Sequence, residues 1–350
     1  MSDILRMRGD LKQMIRFSRA PDFDQFAAVL RHEKPDRPVL FEFFLNDRLY
    51  QRANGGRAEP EEALEDQLYL ANAMACYGYD CCEAVGCPLV FINKKLNKKE
   101  TRSLNDNHLI CDRESFDGYP WPDPSGIDFS VLERAGGKLP GNMKLMLSGA
   151  GILETAMEML GYENMCYMVY DDPELLKAVF DRIGSLHVDY YARGLQYDSV
   201  GLVMANDDWG FNTQTLLAPE LLRELVFPWY KKIVELAHAS GRPAILHSCG
   251  CLTEVMDDVI RVMKFDGKHS YQDNITPVES AYEKWGKDIA ILGGLDVNYL
   301  VSAPPESIEK RSRAMLDRAR EYNGYALGSG NSIPEYVPDE HYFAMLSAAR

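Results

Sequence analysis

A single (β/α)8 barrel is the fold that this sequence predicts, on three observations. Eight short apolar runs alternate with longer amphipathic stretches, the signature of parallel βα units joined by right-handed crossovers. No glycine-rich turn follows the first run, where LNDRLYQR stands, and neither GxxxxGKS nor GxxxxGKT occurs, so an open dinucleotide-binding sheet and a P-loop are disfavoured. The length, 350 residues, suits one elaborated barrel, with 1–350 read as a single domain.

The strand-like runs are 37–44 (RPVLFEFF), 79–85 (YDCCEAV), 143–149 (MKLMLSG), 200–206 (VGLVMAN), 243–248 (PAILHS), 264–270 (KFDGKHS), 289–295 (IAILGGL) and 324–328 (GYALG). Helix punctuation lies between them. Residues 60–75 read as helical after a loop, and 172–194 open with Asp-Pro-Glu, a cap followed by proline at the first helical position. Residues 219–240 end at Gly241, and 304–322 end before Asn323 and Gly324, a C-terminal cap. Residues 89–139 break the repeat, since KKLNKKE and YPWPDPSG accompany no strand-length apolar run beyond PLVFI. A connection of about 50 residues is long, so 89–139 is expected to be an insertion on the barrel rim, a lid or an added subdomain.

Composition narrows the partners. With 53 acidic and 38 basic side chains the formal charge is −15, which repels a phosphate backbone and argues against nucleic acid. Apolar stretches are far shorter than the roughly 20 residues of a membrane helix. The opening MSDILRMRGD does not read as a signal peptide, so a cytoplasmic protein is expected. The eight cysteines form no CxxC pairs, and most read as buried thiols; consecutive Cys81 and Cys82 should face opposite sides, one in the barrel and one under a helix.

Barrel enzymes place chemistry at the carboxyl ends of strands. That rule shortlists Glu42 and Asn46, Asp80 and Glu83, Asn206 with Asp207 and Asp208, His247 with Cys249 and Cys251, His269 with Gln272 and Asp273, Asp296, and Asn331. In an extended chain His247 and Cys249 face the same way, and imidazole with thiolate is a favoured zinc pair. The competing reading is a histidine satisfied by a carbonyl beside an inert thiol. Asp207 and Asp208 face opposite sides, so one of the two enters the pocket; an acidic turn or a helix cap is the alternative. Glu42 sits within apolar VLFEFFL, where a carboxylate is costly unless paired or bound, as ligand, base or half of an ion pair. His32, His108, His187, His238 and His341 lie away from strand ends and read as surface residues, and Trp121 as loop packing.

Five stretches resemble the uroporphyrinogen decarboxylase-like superfamily, and within it the corrinoid-linked methyltransferases: GYENMCYMVYDDPELLKAVFDRI (161–183), ANDDWGFNTQTLLAPELLREL (205–225), PAILHSCGCLTEVMDDVI (243–260), ILGGLDVNYLVSAPPESI (291–308) and LGSGNSIPEYVPDEHYFAML (327–346). The likeness runs through most of the chain from residue 38, and HxCG followed by GGLD is its most specific part. It implies a distorted (β/α)8 barrel. The decarboxylases carry an arginine-rich RQAGR motif after the first strand that holds substrate carboxylates; FEFFLNDRLYQR stands here instead, and EAVGCP replaces their FSD-type aspartate. The methyltransferases bind zinc through His-x-Cys and a later cysteine. His247 and Cys249 match the first two ligands, while Asn331 stands at the third. An amide oxygen is a poorer zinc ligand than a thiolate, leaving Glu42, Asp208, Cys251 and Asp273 as candidates to complete the site.

The resemblance implies methyl transfer between a small methyl donor or acceptor, such as a methoxylated compound or a thiol, and the cobalt of a corrinoid protein, with zinc as Lewis acid. An acidic rim would steer a basic patch on that partner. Two other classes stand beside this one. The first is a metal-independent decarboxylase or lyase acting on a small carboxylate, with Asp208 and Glu42 handling protons. The second is a binding protein that kept the barrel without its chemistry.

Overall fold

The computed structural model describes residues 17–91 and 109–350; MSDILRMRGD, KKLNKKE and His108 lie outside them. Among the described residues seven strands follow one another in a single sheet: β1 (Cys81–Glu83), β2 (Lys144–Ser148), β3 (Val200–Asn206), β4 (Ala244–His247), β5 (Gly267–His269), β6 (Ala290–Leu292) and β7 (Tyr325–Ala326). All neighbours pair in parallel. The sheet curls as a TIM-type barrel does.

The run 37–44, expected to be a strand, is reduced to a bridge between Leu40 and Leu327. Phe41 N donates to Leu327 O, and Leu327 N to Val39 O. Its other flank reaches the start of β1, where the Arg37 guanidinium grips both oxygens of buried Asp80. The segment therefore fills the eighth staff of the barrel with few ladder bonds of its own.

Period-two alternation sorts the side chains. Val39, Phe41, Phe43, Cys81, Met146, Leu202, Met204, Ile245, Leu292 and Ala326 form one enclosed cluster inside the barrel. Their chain neighbours, among them Leu40, Cys82, Leu145, Val203, Leu246 and Leu327, belong to a larger core under the helices. Cys81 and Cys82 thus part as expected. The helix Phe23–Leu30, capped by Asp22, closes the amino end of the barrel. Its Phe26 is fully buried and stacks on Phe41 with centroids 5.7 Å apart. Burial of one such ring stabilises by roughly 2–3 kcal/mol.

The outer helices follow the punctuation with some shifts. Pro173–Gly194 begins after Asp172, whose carboxylate accepts from Leu175 N. The stretch 219–240 is two helices, Pro219–Leu225 and Phe227–Ala239, because Pro228 has no N–H to carry the ladder through. Residues 60–75 and 304–322 shorten to Ala63–Cys76 and Pro305–Arg318. Within the described part of 89–139 there are short helical pieces only, Arg113–Asp117, Pro124–Gly126 and Ser130–Gly136. Trp121 packs there on Phe116 and Tyr119. His187 corrects the surface reading: it is fully buried, its ring nitrogens meeting Ile183 O and Ala150 O, because the amphipathic helix turns that face to the barrel. Among the described residues no helix is long and apolar enough to cross a membrane.

Candidate metal centre

Alternation also decides which strand-end groups enter the mouth. On β3, Leu202 and Met204 point inward, so Asn206 and then Asp208 follow on the same side and Asp207 on the other. On β4, Ile245 points inward, followed by His247 and Cys249. The register sets Asn206 beside His247, and His247 beside His269. One layer higher, Cys249 N donates to Asp208 Oδ1 at 2.8 Å.

This contact depends on two glycines. Gly210 N donates to Cys249 O, and a Cβ on Gly250, at φ +83°, would lie 2.2 Å from the Gly210 backbone. Without side chains the loops after β3 and β4 touch backbone to backbone. The result is a group of Asp208, His247 and Cys249 whose ligand atoms all lie within 4.8 Å of one another.

The imidazole and the thiol each have a defined state. Burial, then His269 and Lys268, hold the His247 imidazole well below the usual histidine range, so it is neutral. Burial and the Asp208 charge push the Cys249 thiol up to about 12. The sulfur lies 3.8 Å from His247 Nε2 and 3.5 Å from Ser270 Oγ, and Asn331 Nδ2 donates to it at 3.2 Å. His247 Nδ1 is 2.8 Å from His269 Nδ1, and His269 Nε2 is 3.1 Å from Ser329 O. Lys268 is buried behind the sulfur, its ammonium donating to Ser248 O and Ser270 O and lying 4.2 Å from the Tyr271 ring centroid. Burial brings it down to about 8.

The structure separates the other candidates from this group. Asp207 is fully buried and caps the helix Ile152–Leu160, accepting from Leu153 N, Glu154 N, Trp209 Nε1 and Tyr230 OH. Glu42 faces away from Phe41 and Phe43; burial raises its carboxyl to about 8, and Ser329 N and Oγ donate to it. Asp273 corrects its expected place near the metal: Arg311 binds both its oxygens, at 2.7 and 2.8 Å, which satisfies it as an ion pair. Cys251 turns outward to Thr253. Asp80 serves Arg37, and Asp296 caps the helix Val297–Ser302.

Sequence reasoning missed Lys268, Ser270 and Glu154. Alternation along KFDGKHS could not expose the first two, since the register that sets His247 beside His269 puts Lys268 and Ser270 in the opposite phase. Glu154, raised to about 8 by burial and then by Asp207 and Asp208, lies on a helix that the pattern did not announce. Glu83, shortlisted at the end of β1, is raised to about 7 by burial alone.

Comparison with known proteins follows the same lines. Residues 83–350 match the family model described as uroporphyrinogen decarboxylase (URO-D). Curated relatives include the uroporphyrinogen decarboxylase of Geobacter metallireducens, 24% identical over 181 residues, 51% of this chain and 50% of the relative. That of Geobacter sulfurreducens is 24% identical over 187 residues, 53% of this chain and 52% of the relative. The chain spans about half the length of the curated relatives it matches. Among solved structures, a methyltransferase from Methanosarcina mazei superposes with a TM-score of 0.65 at 16% identity, covering 93% of this chain and 97% of that one, a likeness of fold. A family match over most of the chain, on the barrel derived above, makes this chain a member of the uroporphyrinogen decarboxylase family.

Proposed function

We propose that this chain is a methyltransferase that moves a methyl group between a small substrate and the cobalt of a corrinoid protein, with zinc held by Asp208, His247 and Cys249. The observation that carries the proposal is the convergence of a neutral imidazole, a thiol and a carboxylate at the carboxyl mouth of the barrel. This is a nitrogen, sulfur and oxygen set of the kind zinc takes, with a fourth position left for substrate. Zinc bound there would supply Lewis acidity toward a thiol or an ether oxygen, and corrinoid on its partner protein a cobalt nucleophile.

The chain's own groups prepare that site. Asp208, fixed by Cys249 N, supplies the third donor that Asn331 does not. Asn331 places a hydrogen-bond donor on the Cys249 sulfur, which favours its thiolate, while the Ser270 hydroxyl gives its proton to Gly330 O. Lys268 adds a positive charge behind two anionic donors. The enclosed aromatic and aliphatic cluster under His247 keeps water from the barrel side. A cytoplasmic setting goes with this reading.

The alternative, a metal-independent decarboxylase or lyase using Asp208 and Glu42 for protons, has less support. Glu42 is committed to Ser329, and Arg48 and Arg52, which follow the first run, are committed to Glu335 and Asp339 instead of a substrate carboxylate. The test is direct. The full-length protein, loaded with zinc, is given free cob(I)alamin with a panel of methoxylated aromatics, and methylcobalamin with a panel of thiols. At least one pairing should change the cobalamin spectrum at a rate proportional to enzyme, and His247→Ala should abolish it. Silence across both panels contradicts the proposal.

A further inference from the structure

We infer that His269 is a positioning residue that decides which ring nitrogen of His247 is free, and that Glu42 acts on the site by clamping Ser329, the anchor of His269. The geometry stands without a metal; its functional consequence rests on the metal reading above.

Proton counting leads to the assignment. Ser329 O is a carbonyl and only accepts, so its 3.1 Å contact places a proton on His269 Nε2. The two Nδ1 atoms are 2.8 Å apart, and a hydrogen bond between them needs one proton, on one of them. Either His247 donates to a neutral His269, or His269 is an imidazolium that donates to His247. The surroundings of His269 decide. Phe41 meets its ring edge-on at 5.0 Å, the ring is fully buried, and the preceding residue in the chain carries the Lys268 ammonium. Glu42, the carboxyl that meets Ser329, spends its contacts on Ser329 N and Oγ. A cation would stand there uncompensated, at a cost of several kcal/mol. His269 is therefore neutral, His247 Nδ1 carries the proton, and His247 Nε2 keeps its lone pair.

Nε2 is the nitrogen that looks into the site, 3.8 Å from Cys249 Sγ. The opposite tautomer would aim an N–H at the metal position. The ring nitrogen that faces away from a metal characteristically donates to a partner that fixes the tautomer, and here that partner is a second histidine. Ser329 O is itself doubly held, accepting from Gly294 N at 2.7 Å as well. This accounts for a carboxyl inside the apolar run VLFEFFL: Glu42 fixes the turn on which the relay ends.

The test uses full-length metal-free protein labelled with 15N-histidine. Long-range 1H–15N correlation should show His247 protonated on Nδ1 and bare on Nε2, and His269 the reverse. Zinc affinity is then measured by competition with a chromophoric chelator. His269→Phe, which fills the space and removes the acceptor, should weaken zinc binding about 10–100-fold. His269→Gln, which offers an acceptor and a donor, should recover most of the loss. A proton on His247 Nε2 in the wild type, or wild-type affinity in His269→Phe, overturns the inference. If His269→Phe does not fold, the wild-type spectrum and His269→Gln still decide. Wild-type protein that takes up no zinc overturns the metal reading alone, because the tautomers are read without metal.

Discussion

Asp207 and Asp208 differ by one position and by everything their side chains meet. Four donors converge on Asp207, whereas Asp208 accepts from Cys249 N at the open mouth. Asp207→Ala should therefore cost about 3 kcal/mol or more in urea unfolding, by stranding buried donors. Asp208→Ala should cost about 1 kcal/mol and instead lose zinc. The sequence showed that one of the pair faces inward, and strand phase from Leu202 and Met204 tells which. Protonation adds a second prediction. With the Cys249 thiol raised to about 12 and His247 neutral, metal uptake near pH 8 must expel the thiol proton and none from the imidazole. Affinity should rise about tenfold per pH unit, and calorimetry in buffers of different protonation enthalpy should count one proton released. Lys268 supplies a third. Its folded value of about 8 lies below the ordinary 10.5, so the unfolded chain binds more protons between the two, and the penalty of burying this ammonium fades as pH rises through that window. In thermal unfolding of metal-free protein, Lys268→Met should exceed wild type at pH 7, and the gap should close toward pH 10.

At the scale of elements, the loops after β3 and β4 act as one unit, held by the Gly210 and Gly250 backbones. A Cβ at Gly250 meets both an unfavourable φ and a backbone 2.2 Å away. Gly250→Ala should lower stability by about 1–3 kcal/mol and weaken zinc binding together, since Cys249 and Asp208 must separate to admit the methyl group. Equal zinc affinity in a stable Gly250→Ala protein would contradict the dependence. Elements were legible where pattern and punctuation agreed, as in Pro173–Gly194 with its Asp172 cap. They were not where tertiary pairing decides. The run 37–44 reads as a full strand by apolarity, yet its ladder amounts to one bridge, because Glu42 and Arg37 tie its flanks to Ser329 and Asp80. His187 reads as a surface residue in sequence and is instead buried, its ring lying between Ile183 O and Ala150 O.

For the whole molecule, closure of the barrel concentrates at the seam around the run 37–44. The Arg37–Asp80 pair joins it to β1, with Asp80 fully buried. Removing one partner leaves a buried charge unpaired, so Arg37→Ala should lower the unfolding free energy by about 3–5 kcal/mol, read from chemical denaturation. Barrel, strand order and the inward stripe were readable from the sequence because they follow from period two and from chain length. The composition of the mouth was partly readable. His247 ends β4 and Cys249 follows it by two residues, so their spacing announces them, whereas Asp208, His269, Ser329 and Asn331 come from other strand ends and meet only when the barrel closes.

The central claim is that Asp208, His247 and Cys249 hold zinc. Its most direct measurement is metal content by mass spectrometry on protein purified without chelator and then offered zinc, wild type beside Cys249→Ser. Near-stoichiometric zinc in the wild type, lost in a folded Cys249→Ser protein, is the predicted result. A wild type that stays empty, or a variant that keeps its zinc, would contradict the account.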